Sequence, residues 1–210
     1  MTQRTVQAAQ AINADVRRVR DTSLNNTLEG LGSVPQAAKQ YINAVERGDP
    51  GGLIHQTILT CTALPIAISD DAGVAQYGGV QVYDFPVGLL MTLGAVIDGD
   101  ITGYASLIDT FDGDVALGTA TATTGNTLTG TEADILQSTA LTQAVGEVAN
   151  CDAVSAATAL TESGARWFNG TATAKDAFLN FVIDDNAAHG AGTATFTGTI
   201  TITWINLGDK

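Results

Sequence analysis

The chain has 210 residues, with nine basic and 22 acidic side chains, and is 45% hydrophobic but only 15% charged and 6% aromatic. That length fits one domain, or one domain with an appendage, and a net charge of −13 sets the molecule against nucleic acid as a partner. No run of about 18 apolar residues occurs, so no transmembrane helix is expected. The charge is uneven: residues 1–50 balance at +1 and residues 51–210 at −14. The polar N-terminus has no apolar run before Leu24, so no signal peptide is expected and synthesis in a cytoplasm is. A charged fraction below the roughly 25% typical of soluble chains hints at a surface covered by partners.

In chain order, residues 4–20 read as a helix. Val6, Ala9, Ile12, Val16 and Val19 recur at helical steps, and Arg17, Arg18 and Arg20 load the last turn, where cations favour the helix dipole. The stripe is thin and asks for a partner surface. A second helix is predicted over Val34–Arg47, with Ser33 as N-cap, Pro35 in the first turn, and Tyr41, Ile42 and Val45 on its apolar face. Arg47-Gly48-Asp49 matches a cell-adhesion tripeptide but reads more simply as the helix stop. Together these make residues 1–50 a helical N-terminal arm, ahead of a β domain over 51–210.

Strands follow. Leu53–Ile68 is apolar on both faces and suits a central or interface strand. Gly79–Phe85 is a short strand, and Val87–Ile97 alternates strictly. Asp98-Gly99-Asp100 reads as a hairpin turn into Ile101–Ile108. Val115–Thr123 is a strand, Thr131–Gln137 a helical turn, and Leu141–Asn150 and Ala153–Leu160 are weaker strands. Thr161–Lys175 reads as a loop carrying Trp167 and Phe168. The chain closes with Ala177–Asp184 and Thr193–Leu207, predicted to pair as a β-hairpin. In the last strand Ala194, Phe196, Gly198, Ile200, Ile202 and Trp204 share one face, and threonines fill the other. About eight strands without a βαβ rhythm predict a mainly β chain: an antiparallel β-sandwich, jelly-roll-like first and immunoglobulin-like second.

No residue pattern announces catalysis, and no enzyme is expected. Asp109, Asp112 and Asp114 crowd around Gly113 and offer hard oxygen ligands to Ca²⁺, but their spacing does not match an EF-hand loop and a solvated turn accounts for them. His55 and His189 lack a third metal ligand. Cys61 and Cys151 are far apart with no CxxC pattern, so two buried thiols are expected. Trp167 and Phe168 either plug the body, make a subunit contact, or stack on sugars.

The stretches Asp70–Gly79 and Asp109–Gly118, within a β part running from Ile58 to Leu207, resemble small structural proteins of tailed bacteriophages, especially marine ones. The resemblance covers about two-thirds of the chain. It implies a virion protein that decorates or cements the capsid exterior, bound to the major capsid protein and commonly trimeric, with no cofactor. Under it, Val6, Ile12, Val16 and Val19, with Tyr41, Ile42 and Val45, are the expected contacts, and Arg17, Arg18 and Arg20 add electrostatic anchoring. The alternative from another class is a carbohydrate- or receptor-binding sandwich of a tail or head fibre, using acidic turns, Ca²⁺ and Trp167. A glycan-cleaving enzyme would need two facing acids that nothing in the sequence selects.

Overall fold

A computed structural model describes residues 32–48, 54–70, 76–103, 113–124, 127–141, 148–155, 167–183 and 191–208. These are mainly β and contain no α-helix; their one helical element is a 3₁₀ turn, Gly130–Glu132. Eleven strands join in one antiparallel, curled sheet: β1 Ile42–Gly48, β2 Ile54–Asp70, β3 Gln76–Asp84, β4 Leu89–Thr102, β5 Gly113–Gly118, β6 Leu136–Ala140, β7 Val148–Asn150, β8 Ala153–Val154, β9 Trp167–Asn169, β10 Asp176–Ile183 and β11 Gly192–Asn206. The path runs β6-β5-β10-β3-β2-β11-β4-β7, with β1 on β2 and with β8 and β9 on β4.

The curl brings the two ends of that path together. Gln137 Nε2 of β6 donates to the Val154 carbonyl of β8 at 3.1 Å, and Ser155 Oγ reaches the Ile135 carbonyl at 3.3 Å. Ser155 also bonds to both backbone groups of Ala95 in β4. Inside the curl lies one core, to which all the longer strands contribute: Leu59, Leu64, Ile66, Leu90, Ile97, Ile101, Leu179, Phe181, Phe196, Ile200, Ile202 and Trp204 are buried there. The strict alternation of the last strand is the pattern of its burial, with threonines facing outward.

Three expectations are corrected. Residues 42–48 form β1 rather than the end of a helix, and Val34, Ala38, Ile42 and Ala44 belong to the common core. Here Ile42, Val45 and Gln36-to-Tyr41 helix signals lose to tertiary pairing: β1 gains the whole edge of β2 from His55 to Cys61. The expected boundary at residue 50 therefore falls between two hydrogen-bonded strands. The first expected helix, residues 4–20, lies outside the described residues.

The last two strands do not pair with each other. β10 lies between β3 and β5, and β11 between β2 and β4. β10 is buried along nearly its whole length, which a place at the centre of its own half-sheet satisfies and a two-stranded hairpin would not. The third correction is at Asp98-Gly99-Asp100, where β4 runs straight on instead of turning. Gly99 stands opposite Gly198. A Cβ on Gly99 would lie 2.8 Å from the Gly198 Cα, and one on Gly198 2.6 Å from the Gly99 Cα. These glycines permit close approach of two backbones, not a reversal.

The outer face of β5 and β10 has its own cover. Ala116, Ala122, Leu128 and Val182 form a second small core beneath residues 119–135. Asn180, fully buried, clamps this cover: its Oδ1 accepts from the Ala122 N–H at 2.9 Å, and its Nδ2 donates to the Ala120 and Glu132 carbonyls at 2.9 and 2.8 Å. Asp134 pins the start of the loop by accepting from the Thr119 N–H and Oγ.

Candidate interaction surface

Two groupings of side chains stand out. The first is a polar chain at one end of the curl. Trp204 Nε1–H donates to Thr57 Oγ1 at 2.9 Å, Thr57 Oγ1–H donates to Glu46 Oε2 at 2.8 Å, and Glu46 Oε1 meets His55 Nδ1 at 3.1 Å. The His55 ring stacks on Trp204 with centroids 4.3 Å apart. Phe85 and Tyr83 pack edge-on to complete an aromatic plug, and Tyr83 Oη accepts the Gly32 N–H at 3.1 Å. Burial, with Glu46 nearby, pushes the Tyr83 phenol well above its usual range. A hydroxyl, a carboxylate and an imidazole in a row have the composition of a nucleophilic triad. The geometry is against that role: Thr57 is fully buried and both its hydrogen-bonding directions are used inside the protein. The chain satisfies polar atoms that the end of the core would otherwise strand.

The second grouping is on the outer face of β9, β8, β4, β11, β2 and β1, where strand register lays side chains in rows. One row runs Trp167–Met91–Ile205–Ile54, each residue the direct cross-strand partner of the next. A second runs Val154–Val96–Thr201–Ile58–Val45. Leu93 lies between them at a β4 irregularity. Five large apolar side chains of this face are exposed: Ile54, Leu93, Val96, Val154 and Trp167, the last at 52%. Val87, just before β4, is a sixth. Adjacent cross-strand apolar neighbours normally face a core; on this face they point outward.

Along the strands the band ends abruptly. The next row is Asp98–Thr199–Thr60–Asn43, and beyond it Asp100 faces Thr197. Asp98, Asp100 and the neighbouring Asp152 are exposed. Between the two rows lie Arg47, Gln56 and Thr203, so the broadest part of the sheet carries two largely apolar rows on either side of a polar one, with an acidic border beyond them.

Of the residues expected to make contacts, Val45 lies on this face, Ile42 is buried in the core, and Tyr41 packs against the core. Val6, Ile12, Val16, Arg17, Arg18, Val19 and Arg20 lie outside the described residues. So do Asp109, Asp112 and His189; Asp114 sits in β5 opposite Val182 and Ala140. No cluster of three His, Cys, Asp or Glu side chains placed to hold a metal occurs among the described residues. Trp167 is exposed and Phe168 buried, as neighbours on a strand rather than in a loop. Both cysteines are buried and free, and burial pushes the Cys61 thiol up to about 12 and Cys151 higher.

The sequence reading found the threonine face of β11 but not this surface. Its apolar residues come from six strands, and only the register between strands makes them neighbours. No protein-family model, curated protein or solved structure matches the chain.

Proposed function

We propose that this protein is a structural component of a tailed-bacteriophage virion. It decorates or cements the capsid exterior by docking the outer face of β4, β11 and β2 onto the major capsid protein. The observation that carries the proposal is the pair of exposed cross-strand rows through Met91 and Val96. A protein that acts by attachment needs such a surface. The low charged fraction, 15%, and the resemblance of Asp70–Gly79 and Asp109–Gly118 to phage structural proteins support the same reading. So does a body built on long paired strands, β2, β4 and β11, which suits a rigid symmetric assembly. Within this reading the curled sheet is a flattened sandwich, jelly-roll-like rather than immunoglobulin-like. The protein is made in the host cytoplasm, assembles as a trimer on the capsid surface, and needs no cofactor.

The test is the mass of the protein in solution and its co-sedimentation with capsids of the virus that carries its gene. A trimer that pellets with capsids is expected. A monomer that stays in the supernatant would overturn the proposal.

One observation favours a second reading. Trp167 is exposed beside Asn169, whose side chain orders the following turn through Thr171. An exposed indole on a rigid strand is a stacking platform for sugars. On this reading the chain is a carbohydrate- or receptor-binding module, and a glycan-dependent rise in melting temperature that Trp167→Ala abolishes would support it.

A further inference from the structure

We propose that the outer face receives one extended segment of the docking partner, laid across the strands in a polar furrow between the two apolar rows. This rests on the reading of that face as the docking surface.

Strand register sets the furrow. Between the rows of Ile54 and Ile58 lies a third, Arg47–Gln56–Thr203–Gly94, each residue the cross-strand partner of the next. Gly94 carries no side chain, and Leu93, the extra residue at the β4 irregularity, closes the row at that end. The flanking rows stand four residues apart along β2, about 13 Å. From Arg47 in β1 to Leu93 in β4 is three strand spacings, about 14 Å. The floor is therefore polar and the banks are apolar, with Ile54, Ile205 and Met91 on one side and Val45, Ile58 and Val96 on the other.

That order of surfaces selects an extended chain over a helix. An amphipathic helix presents its apolar stripe along the middle of its contact face, which here would press apolar side chains onto Arg47, Gln56 and Thr203. Its backbone groups are also spent on its own hydrogen bonds. An extended segment turns its side chains alternately to left and right, onto the two banks, and leaves backbone N–H and C=O groups facing the floor.

The same arrangement occurs, already filled, on the other half of the sheet. Asn180 stands on the outer face of β10, with Val182 two residues along and Ala116 of β5 opposite. Residues 120–122, neither helix nor strand, lie over it. The Asn180 amide accepts the Ala122 N–H and donates to the Ala120 carbonyl, two backbone groups of one passing segment. Gln56 offers the same amide between Ile54 and Ile58 of β2. Among the described residues its side chain makes no hydrogen bond and Arg47 makes no ion pair. The geometry thus supplies a clamp for a backbone that the described chain does not provide. The occupant is a run of about four uncharged residues, whose carbonyls take Arg47 and Gln56 and whose N–H meets Gln56 or Thr203.

The test uses the full chain on purified capsids, with the photo-cross-linking residue p-benzoylphenylalanine placed at Arg47 in one protein and at Leu93 in another. Over about 14 Å an extended segment advances about four residues and a helix nine or ten. Adducts about four residues apart in one run of the capsid protein are expected. Gln56→Leu makes the face more apolar but removes the clamp, and is expected to weaken capsid binding on the order of tenfold. No adduct, adducts nine or ten residues apart, adducts in separate segments, adducts to a second copy of this chain, or Gln56→Leu binding as well as or better than the wild type would overturn the inference. The variant Ile54→Asp/Val96→Asp tells the two readings apart. If it loses capsid binding while Gln56→Leu keeps it, the furrow fails and the docking reading stands. If it binds capsids as the wild type does, the docking reading fails and the furrow with it.

Discussion

Ala63 is the one non-glycine residue with positive φ, +47°, among the described residues. It sits where β2 carries an extra residue against β11, between the pairs Leu64–Phe196 and Cys61–Gly198, and its N–H is held by Thr197 Oγ1 at 3.0 Å. A left-handed alanine costs about 1 kcal/mol or more, and a β-branched residue costs further because its Cβ substituents crowd the backbone. Ala63→Gly is therefore expected to leave stability unchanged or raise it by about 0.5 kcal/mol, and Ala63→Val to lower it by about 1–2 kcal/mol. Chemical denaturation checks both. Asp176 is a different kind of strain. Burial raises its pKa, and the carboxylate of Asp84, its cross-strand partner, raises it further. A carboxyl whose folded pKa is raised holds its proton longer in the native state. Stability then falls as pH rises from the ordinary carboxylate value of about 3.9 through the raised one. Asp176→Asn removes that fall, so its stability relative to the wild type is expected to be greater at pH 7 than at pH 3. Equal differences at the two pH values would contradict the pairing.

At the scale of elements, alternation was legible and pairing was not. β11 has the burial its period-2 pattern announces, because alternation depends only on which face is dry; the first part of β4 has the reverse, with Leu90 and Thr92 buried and Met91 and Leu93 facing outward, until the irregularity at Leu93 returns Ala95 and Ile97 to the core. The two C-terminal strands look like a hairpin in the sequence because they are consecutive. The partners of β10 and β11 are set by length and by which strand must be buried on both faces, which are properties of the whole sheet. Residues 42–48 carry helix-compatible spacing that an available β2 edge overrules. The Asn180 clamp was invisible for a similar reason: nothing in Leu179-Asn180-Phe181 says that a loop sixty residues upstream lies over it. Asn180→Ala strands the Ala122 N–H and two carbonyls. It is expected to cost about 2–4 kcal/mol and to speed hydrogen exchange in residues 119–132 before that in β11. Uniform loss of protection across the sheet would contradict a local clamp.

For the whole molecule, composition was the best guide. Few charges, few aromatics and many threonines and glycines foretold a mainly β body. The surface itself was hidden because Trp167, Met91, Ile205 and Ile54 are 151 residues apart at their extremes (205 − 54) and meet only through register. The polar chain Trp204–Thr57–Glu46–His55 was hidden too, since His55 had no visible partner until β1 brought Glu46 beside it. The reactive groups of that chain face inward, and the outer face of β4, β11 and β2 carries apolar rows beside threonines and an acidic border. The account therefore stands on attachment through one face of the sheet. The most direct measurement is capsid co-sedimentation of the double variant Ile54→Asp/Val96→Asp beside the wild type, with circular dichroism showing both folded. Both side chains are exposed, so the body is expected to fold and capsid binding to be lost. A folded double variant that binds capsids as well as the wild type would contradict the account.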